Sequence, residues 1–364
     1  MRVPLNDLSR VGAEAPVLSA AFARVLDRGS FVLGQEVAAF EREFAAYCGT
    51  RECVTLASGT DALELALRAL GVGGGDEVVT AANAAMYSTV AILACGASPV
   101  YADVDERTLT LSPASLAPVL TPRTRAVIAT HLYGRLADME GIAQTLPARI
   151  PVIEDCAQAH GARSAAGRAG ALATIGCFSF YPTKNLGALG DGGAITTGDT
   201  ALAERVRALR QYGWHGKYRV AVPGGRNSRL DELQAAILRQ RLPALDTRNA
   251  RRQAIGHAYA ERIRHPRIRV VADDIGADCV MHLAVVRCDA RDALRAHLEA
   301  QGIGTDVHYP VPDHRQPVML ESCRGVSLPV TERACAQVLS LPCFPELTPS
   351  ELDRVIDACN AWPG

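Results

Sequence analysis

The sequence lacks the cysteine framework that stabilises small secreted domains. Its eleven cysteines are scattered over 364 residues, none of them in a C-x-x-C spacing, and the odd number leaves at least one unpaired. Such usage is typical of a reducing compartment. The sequence therefore predicts a cytoplasmic protein.

An excess of charge of one sign and long apolar runs are missing as well. The net charge is −1 at pH 7 and the pI is near 6.8, so no overall field attracts nucleic acid or an anionic membrane. The N-terminal stretch MRVPLNDLSR has no apolar signal core, and no segment approaches about 18 uninterrupted apolar residues. We expect small-molecule partners, no nucleic acid and no membrane.

Short β-rich runs alternate with helical segments through most of the chain. CVTLAS precedes TDALELALRALGV, and EVVTAA precedes STVAILACG, which predicts a mostly parallel sheet with helices on both faces. Two helices precede this pattern, the second ending at Gly49. We expect Pro243 to kink or split a later helical run. The alternation of β-rich and helical segments changes near residue 245. We therefore predict a large domain at 1–244, including the N-terminal helices, and a small α+β domain at 245–364.

The stretch PVIEDCAQAHGA contains an apolar run that ends in Glu154 and Asp155. In open α/β sheets ligands bind at the carboxyl ends of strands, which is a suitable place for a functional carboxylate. The alternative is that Asp155 caps a helix, as aspartate often does.

The stretch FSFYPTKNLGALGDGGA holds Lys184, which has no carboxylate within six positions on either side. A cofactor with a cationic pyridine nitrogen needs a buried carboxylate, and the aldehyde of such a cofactor needs a reactive lysine. Asp155 and Lys184 could fill these two roles. The alternative is a solvated surface lysine.

The stretch ASGTDALELAL places Ser58, Gly59 and Thr60 between a predicted strand and a predicted helix. Backbone N–H groups and the Thr60 hydroxyl would then point toward an anion at the helix N-terminus, as in a phosphate site. An ordinary helix cap by Ser58, Thr60 or Asp61 is the alternative. Ser179 could add a second hydroxyl to the same phosphate.

These motifs occur in one order with GQEVAAFEREFAAYCG, GRNSRLDELQAAIL and GIGTDVHYPVPDHRQP, and together they span essentially the whole chain. In this combination the sequence resembles the DegT-type nucleotide-sugar aminotransferases, which are pyridoxal phosphate enzymes of fold type I. YPTKN with GDGGA is similar to the branch that aminates the 3-position of the sugar. The resemblance implies an α/β large domain, with a mostly parallel, seven-stranded mixed sheet between helices, and a smaller α+β C-terminal domain.

The resemblance also implies roles for individual residues. Lys184 would bond to the cofactor aldehyde and act as the proton-transfer base, and Asp155 would pair with the pyridine nitrogen. Gln158 would reach the ring hydroxyl and Ala157 would pack on one ring face. The phosphate would be held by Gly59, Thr60 and Ser179, together with Asn227 of a neighbouring subunit, which implies a homodimer with a shared active site.

An aromatic residue usually stacks on the second ring face in this family. Counting from the flanking motifs places Ala85 there, with Met86 or Tyr87 as replacements after a local shift. The candidate substrate-binding residues are Tyr181, His160, His308, Tyr309, Lys217 and Arg219, with His314 nearby. For the histidines a structural role is the alternative, and for Lys217 and Arg219 it is a solvated loop face.

The implied reaction transfers an amino group from L-glutamate, which leaves as 2-oxoglutarate, to a nucleotide-diphosphate keto-sugar. The resemblance favours a thymidine-diphosphate 3-oxo-6-deoxyhexose, for a deoxysugar of a natural product or of lipopolysaccharide O-antigen. A 4-keto or UDP- or GDP-linked sugar and a non-catalytic regulatory role are the alternatives. Related dehydratases carry histidine in place of the lysine, so Lys184 disfavours a lyase. Cys156 and Cys177 lie near the predicted site, where packing is favoured over a nucleophilic role. No metal ion is expected.

Overall fold

The computed structural model describes residues 2–10, 12–271 and 274–364. Its α-helices are α1 Ala15–Arg28, α2 Gln35–Cys48, α3 Gly59–Ala69, α4 Tyr87–Ala94, α5 Met139–Thr145, α6 Thr200–Leu209, α7 Glu232–Arg241, α8 Leu245–Arg262, α9 Arg291–Ala300, α10 Pro329–Gln337 and α11 Pro349–Asn360. Its strands are β1 Glu52–Leu56, β2 Glu77–Thr80, β3 Ser98–Tyr101, β4 Thr124–Thr130, β5 Val152–Asp155, β6 Arg163–Ser164, β7 Gly167–Arg168, β8 Ile175–Ser179, β9 Gly193–Thr197, β10 Arg269–Val270, β11 Ala284–Arg287 and β12 Val338–Leu341.

Seven strands form the main sheet, in the order β1-β9-β8-β5-β4-β2-β3. β9 is antiparallel to β1 and β8, and the other neighbouring pairs are parallel. Side chains alternate between the two faces, so Cys177 packs with α3, α4 and α6, whereas Phe178 packs with α2 and α7. The predicted mostly parallel sheet between helices is confirmed.

The topology brings three strand ends together. β4, β5 and β8 are parallel neighbours, so their carboxyl ends meet at one edge of the sheet. These ends carry Thr130, Asp155 and Ser179. Residues that are 25 and 24 positions apart in the sequence are thereby placed side by side.

The helix boundaries follow local sequence signals. α1 and α2 end at Gly29 and Gly49, whose φ angles of 63° and 82° are left-handed and therefore favour glycine. Pro243 lies in a short 3-10 turn, 242–244, that separates α7 from α8. The predictions of a stop at Gly49 and a break at Pro243 are confirmed.

The first turn of α2 is capped by a residue from a distant helix. Its N-cap residue, Gly34, has no side chain, and the buried carboxylate of Glu232 on α7 accepts from the N–H groups of Gly34, Glu36 and Val37 at 2.8, 2.9 and 2.8 Å. These are donors that a helix leaves without an intrahelical partner. Glu232 therefore joins α7 to the start of α2.

We expect Glu232→Ala to lower the free energy of unfolding by about 3 kcal/mol, because it leaves several buried N–H groups unpaired. Glu232→Gln retains one acceptor oxygen and should lose less. Chemical denaturation measures both, with Glu204→Ala as the control, since the Glu204 side chain is 66% exposed. A loss no larger than that of the control would show that Glu232 does not stabilise the helix.

The C-terminal part contains a three-stranded antiparallel sheet with β11 in the centre. Its apolar side chains do not form a separate core, because Val285 of β11 and Leu339 of β12 belong to the same buried cluster as Val127 and Ala129 of β4. The division at residue 244 stays a prediction. In the described part of the chain, no helix has both the length and the apolar character needed to cross a membrane.

Candidate active site

A cavity of about 780 Å³ lies where the carboxyl ends of the central strands meet. Its wall contains residues from the first helix after β1, from the ends of β5 and β8, and from the C-terminal part. The predicted site residues that line it are Gly59, Thr60, Asp155, Ala157, Ser179, Tyr181, Lys184, His308 and Tyr309. Segments that are far apart in the sequence thus form a single site.

Asp155 ends β5 and is only 4% exposed. Its carboxylate accepts from the N–H of Ala157 and from the hydroxyl of Thr130, both at 3.1 Å. Burial raises the pKa of Asp155, against the opposing effects of the Ala157 N–H and the Lys184 charge. The residues that follow form turns, so the alternative in which Asp155 caps a helix is wrong.

Lys184 lies in the turn after β8, where its backbone N–H donates to the carbonyl of Tyr181 at 2.9 Å. Its side-chain amine has no hydrogen-bond partner within the described ranges. Burial lowers the pKa of Lys184 to about 8, and the carboxylate of Asp155 opposes this shift. A substantial fraction of the amine is therefore neutral near physiological pH, and a neutral amine is the nucleophilic form. The alternative of a solvated surface lysine is wrong.

The first turn of α3 forms another wall of the cavity. Ser58 caps this helix, since its hydroxyl accepts from the N–H of Asp61 at 3.1 Å, as the cap alternative proposed. An ideal Cβ on Gly59 would lie 2.6 Å from the Cβ of Ser179, so only glycine lets α3 approach the end of β8 this closely. The N-terminal N–H groups of α3 and the Ser179 hydroxyl consequently border one space, which suits an anion.

Gln158 lies behind the cavity wall and is 5% exposed. Its side-chain carbonyl accepts from the N–H of Tyr133 at 2.6 Å, and its amide donates to the hydroxyl of Tyr309 at 3.1 Å. The hydroxyl of Tyr133 in turn donates to the carbonyl of His308. Gln158 and Tyr133 therefore fix the position of the loop that carries His308 and Tyr309.

The first residue of α4, Tyr87, lines the cavity. Ala85 and Met86 have left-handed φ angles of 54° and 66°, and Asp313 stabilises this turn by accepting from the Met86 N–H at 2.9 Å. The Tyr87 ring is perpendicular to the ring of Tyr309, with 6.2 Å between their centroids. The local shift brings Tyr87 rather than Ala85 to the cavity wall, and stacking on a cofactor stays a prediction.

The profile of the DegT/DnrJ/EryC1/StrS aminotransferase family matches residues 15–360. The chain belongs to this family.

Three relatives resemble this family member over nearly its whole length. The dTDP-3-amino-3,4,6-trideoxy-alpha-D-glucose transaminase of Streptomyces venezuelae is 47% identical and aligns over 99% of this chain and 96% of the relative. The dTDP-3-amino-3,6-dideoxy-alpha-D-galactopyranose transaminase of Aneurinibacillus thermoaerophilus is 45% identical over 99% of both chains. The erythromycin biosynthesis sensory transduction protein EryC1 of Saccharopolyspora erythraea is 44% identical over 99% of this chain and 100% of its own.

Solved structures of the family share the fold. S. venezuelae DesV, in complex with a ketimine intermediate, has a TM-score of 0.95 and 46% identity, covering 99% of this chain and 98% of DesV. NtdA from Bacillus subtilis, with bound cofactor PMP, has a TM-score of 0.92 and 32% identity, covering 98% of this chain and 84% of NtdA. The predicted fold and family are confirmed.

Aminotransferases of this family depend on pyridoxal phosphate, and the donor set of the cavity fits this cofactor. Lys184 offers an amine with no hydrogen-bond partner among the described residues, and Asp155 is a carboxylate whose pKa is raised by burial. The close approach of Gly59 to Ser179 leaves a cradle at the start of α3 that a Cβ would fill.

The structure separates the predicted substrate residues into three groups. Tyr181, His308 and Tyr309 line the cavity. His160 does not, because it is completely buried and its ring packs against Phe178 and Phe180 with centroid distances of 5.4 and 5.8 Å. A third group, outside this chain's cavity on the exposed part of the 211–231 loop, comprises Lys217, Arg219 and the cofactor candidate Asn227.

Burial excludes several other candidates from direct chemistry. His314 is 1% exposed, and its Nε2 pairs with Glu332 at 2.9 Å. All eleven cysteines, which lie within the described residues, are free and buried. Burial raises the thiol pKa of Cys156 and Cys177 well above the usual range, which favours the packing role over the nucleophilic one.

Sequence reasoning missed part of the cavity wall. Asn6 of the N-terminal segment, Asp306 and His282 line the cavity. His282 precedes β11, and its ring Nδ1 is 3.1 Å from Oδ1 of Asn185, the residue that follows Lys184. The stretch CVMHLAVVR offers only the signal of one histidine before an apolar strand, which local patterns alone do not connect to Lys184.

Proposed function

We propose that this chain transfers an amino group from L-glutamate to the C3 ketone of a dTDP-linked 3-oxo-6-deoxyhexose. The observation that carries the proposal is that Lys184, with a pKa lowered to about 8, shares one cavity with the buried Asp155. The similarity to two transaminases named for dTDP-3-amino sugars supports the choice of acceptor. The product would be an amino sugar for a natural product or a glycan such as O-antigen, made in the cytoplasm.

Pyridoxal phosphate, when bound, supplies an aldehyde that takes up the amino group and a ring that delocalises electrons. Lys184 would bind its aldehyde, and Asp155 would keep a proton on its pyridine nitrogen. Ala157 would pack against the ring and Gln158 would reach the ring hydroxyl. The residues that would hold its phosphate are Gly59, Thr60 and Ser179.

The Lys184 amine is suited to move protons within the cavity. Its pKa of about 8 is close to physiological pH, which is favourable for a group that must both accept and release a proton. Tyr181, His308 and Tyr309 would contact the sugar. Burial lowers the pKa of His308, so its imidazole is neutral and can exchange hydrogen bonds with hydroxyl groups.

A second copy of the chain would complete the site. Among the described residues no arginine lines the cavity, although a diphosphate and a dicarboxylate donor both need cations. Lys217, Arg219 and Asn227 are exposed on one loop of each copy. In a homodimer this loop would reach the partner's cavity, with Asn227 at the cofactor phosphate.

Mixed dimers test this arrangement. Asn227→Asp places a carboxylate against the phosphate and should weaken cofactor binding about 10- to 100-fold. The Asn227→Asp variant is then unfolded and refolded together with an equal amount of Lys184→Ala. Half of the resulting dimers should be hybrids with one intact site each, so about a quarter of the wild-type number of sites should be restored. Activity per site and cofactor content measure this. A mixture no more active than its components would contradict the shared site.

An absorbance spectrum tests the function directly. We expect a visible band of the holoenzyme that bleaches with glutamate and returns when the dTDP-3-keto sugar is added. If the band bleaches but only a 4-keto or a UDP- or GDP-linked sugar restores it, the proposed acceptor sugar is wrong, whereas the transaminase activity is supported.

A non-catalytic regulatory role is the second candidate, and the relative named as a sensory transduction protein favours it. The combination of Lys184, Asp155 and Gln158 favours turnover instead, because ligand binding alone does not require a reactive amine. A holoenzyme band that glutamate leaves unchanged would support the regulatory role.

A further inference from the structure

Two buried amide side chains, of Asn185 and Asn249, are hydrogen-bonded to each other, and Asn185 directly follows Lys184. Asn249 of α8 is 4% exposed, and its amide Nδ2 donates to the backbone carbonyl of His160 at 2.8 Å. A backbone carbonyl can only accept, so this contact fixes which end of the Asn249 amide is nitrogen. The Oδ1 of Asn249 is therefore an acceptor toward its other neighbour.

That neighbour is Asn185, which is 7% exposed. Its Nδ2 donates to Oδ1 of Asn249 at 2.8 Å and to the carbonyl of Val280 at 3.0 Å. Two acceptors thus fix the orientation of this amide as well. Oδ1 of Asn185 is left to face Nδ1 of His282, at 3.1 Å.

These contacts determine the tautomer of His282. Because Oδ1 of Asn185 can only accept, Nδ1 of His282 must carry the proton. Burial lowers the pKa of His282 well below its usual value, so the ring is neutral. A neutral imidazole protonated at Nδ1 has a lone pair at Nε2.

The Nε2 lone pair is available to a ligand. His282 lines the cavity together with Lys184, and its Nε2 has no hydrogen-bond partner in the described part of the chain. It is also not sealed within the protein, in contrast to both ring nitrogens of His160. Both His160 and His282 are buried histidines, but only in His160 are both ring nitrogens fully enclosed by protein.

From this geometry we infer that His282 accepts a hydrogen bond from a hydroxyl of the sugar, on a carbon next to the reacting carbonyl. Phosphate and carboxylate groups offer only lone pairs, so they are not complementary to Nε2. Sugar hydroxyls are donors, and the carboxylates of Asp306 and Asp191 add further acceptors to the lining of the same cavity. The inference rests on the proposed function and assigns it a specificity-determining residue.

The first test measures the tautomer in the wild-type holoenzyme. ¹⁵N NMR of histidine-labelled protein should show His282 with a protonated Nδ1 and an unprotonated Nε2 near neutral pH, with the signal assigned by its loss in His282→Asn. A protonated Nε2 would overturn the inference. This measurement does not depend on turnover. The variant is needed only to assign the signal.

The second test separates the two half-reactions. In His282→Asn the amide can still donate toward Asn185, but its carbonyl oxygen falls short of the position of Nε2, so kcat/KM for the keto-sugar should fall about 10- to 100-fold. The half-reaction with glutamate should remain within about threefold of wild type. His282→Gln, whose amide reaches the Nε2 position, should recover part of the loss. His257→Gln, an exposed residue on α8, is the control.

Acceptor analogues complete the design. One analogue lacks the hydroxyl at C2 and the other lacks the hydroxyl at C4. The analogue without the hydroxyl that contacts His282 should react equally well with wild type and His282→Asn, because the interaction is already absent. A penalty that persists with both analogues, or an equal loss in the glutamate half-reaction, would overturn the inference. Failure of wild type in the glutamate half-reaction would instead contradict the proposed function.

Discussion

Replacing Lys184 by alanine is expected to abolish transamination, with a loss of about four orders of magnitude or more, because it removes both the amine that binds the cofactor and the proton-transfer base. The cavity would otherwise persist, since no described side chain hydrogen-bonds this amine. Lys184→Arg retains a positive charge but not a titratable amine near pH 8, and it should be equally inactive. Steady-state rates and non-covalent cofactor binding are the measurements.

The chain offers an internal comparison for this prediction, because Lys184 and Lys217 are its only lysines. Borohydride reduction of the holoenzyme and peptide mass mapping should place the cofactor mass on the peptide of Lys184. Lys217, which is exposed beside the ring of Tyr218, should stay unmodified. Label on Lys217, or full activity of Lys184→Ala, would contradict the assignment.

Local patterns predicted the features of this protein that depend on neighbouring residues. The end of β5 at Asp155 follows from an apolar run that stops at two acids, and the parallel topology places that end beside Ser179. The Gly49 stop and the Pro243 break depend on the φ preferences of single residues. These features need no knowledge of distant contacts.

The features that local sequence patterns did not predict depend on contacts between distant segments. Glu232 caps a helix whose first turn lies 196 positions away, and His282 is oriented by an asparagine 97 positions away. His160 was misplaced for the same reason, because its proximity to Asp155 in sequence does not reveal that Phe178 and Phe180 enclose it. Side-chain direction in such turns is set by tertiary packing.

Asp155→Asn should produce the second large effect, a fall in turnover of about 10²- to 10⁴-fold. Asparagine has nearly the same shape and can still accept from the Ala157 N–H, so the site should keep its geometry. An amide cannot, however, keep a proton on the pyridine nitrogen. Asp138→Asn is the matched control, because Asp138 also accepts a backbone N–H, that of Gly141 at 2.9 Å, but caps α5 outside the cavity.

The stability of the same variant distinguishes loss of chemistry from loss of structure. The pKa of Asp155 is raised in the folded chain, so the unfolded chain loses this proton at a lower pH, and ionisation weakens the fold as the pH rises above the usual carboxyl range. The cofactor-free Asp155→Asn variant, which carries no ionisable group there, should therefore be at least as stable as wild type at pH 7. Thermal unfolding without cofactor, paired with single-turnover rates, tests this. An inactive variant that is also much less stable would indicate a structural role for Asp155, and an unchanged rate would exclude it as the partner of the pyridine nitrogen.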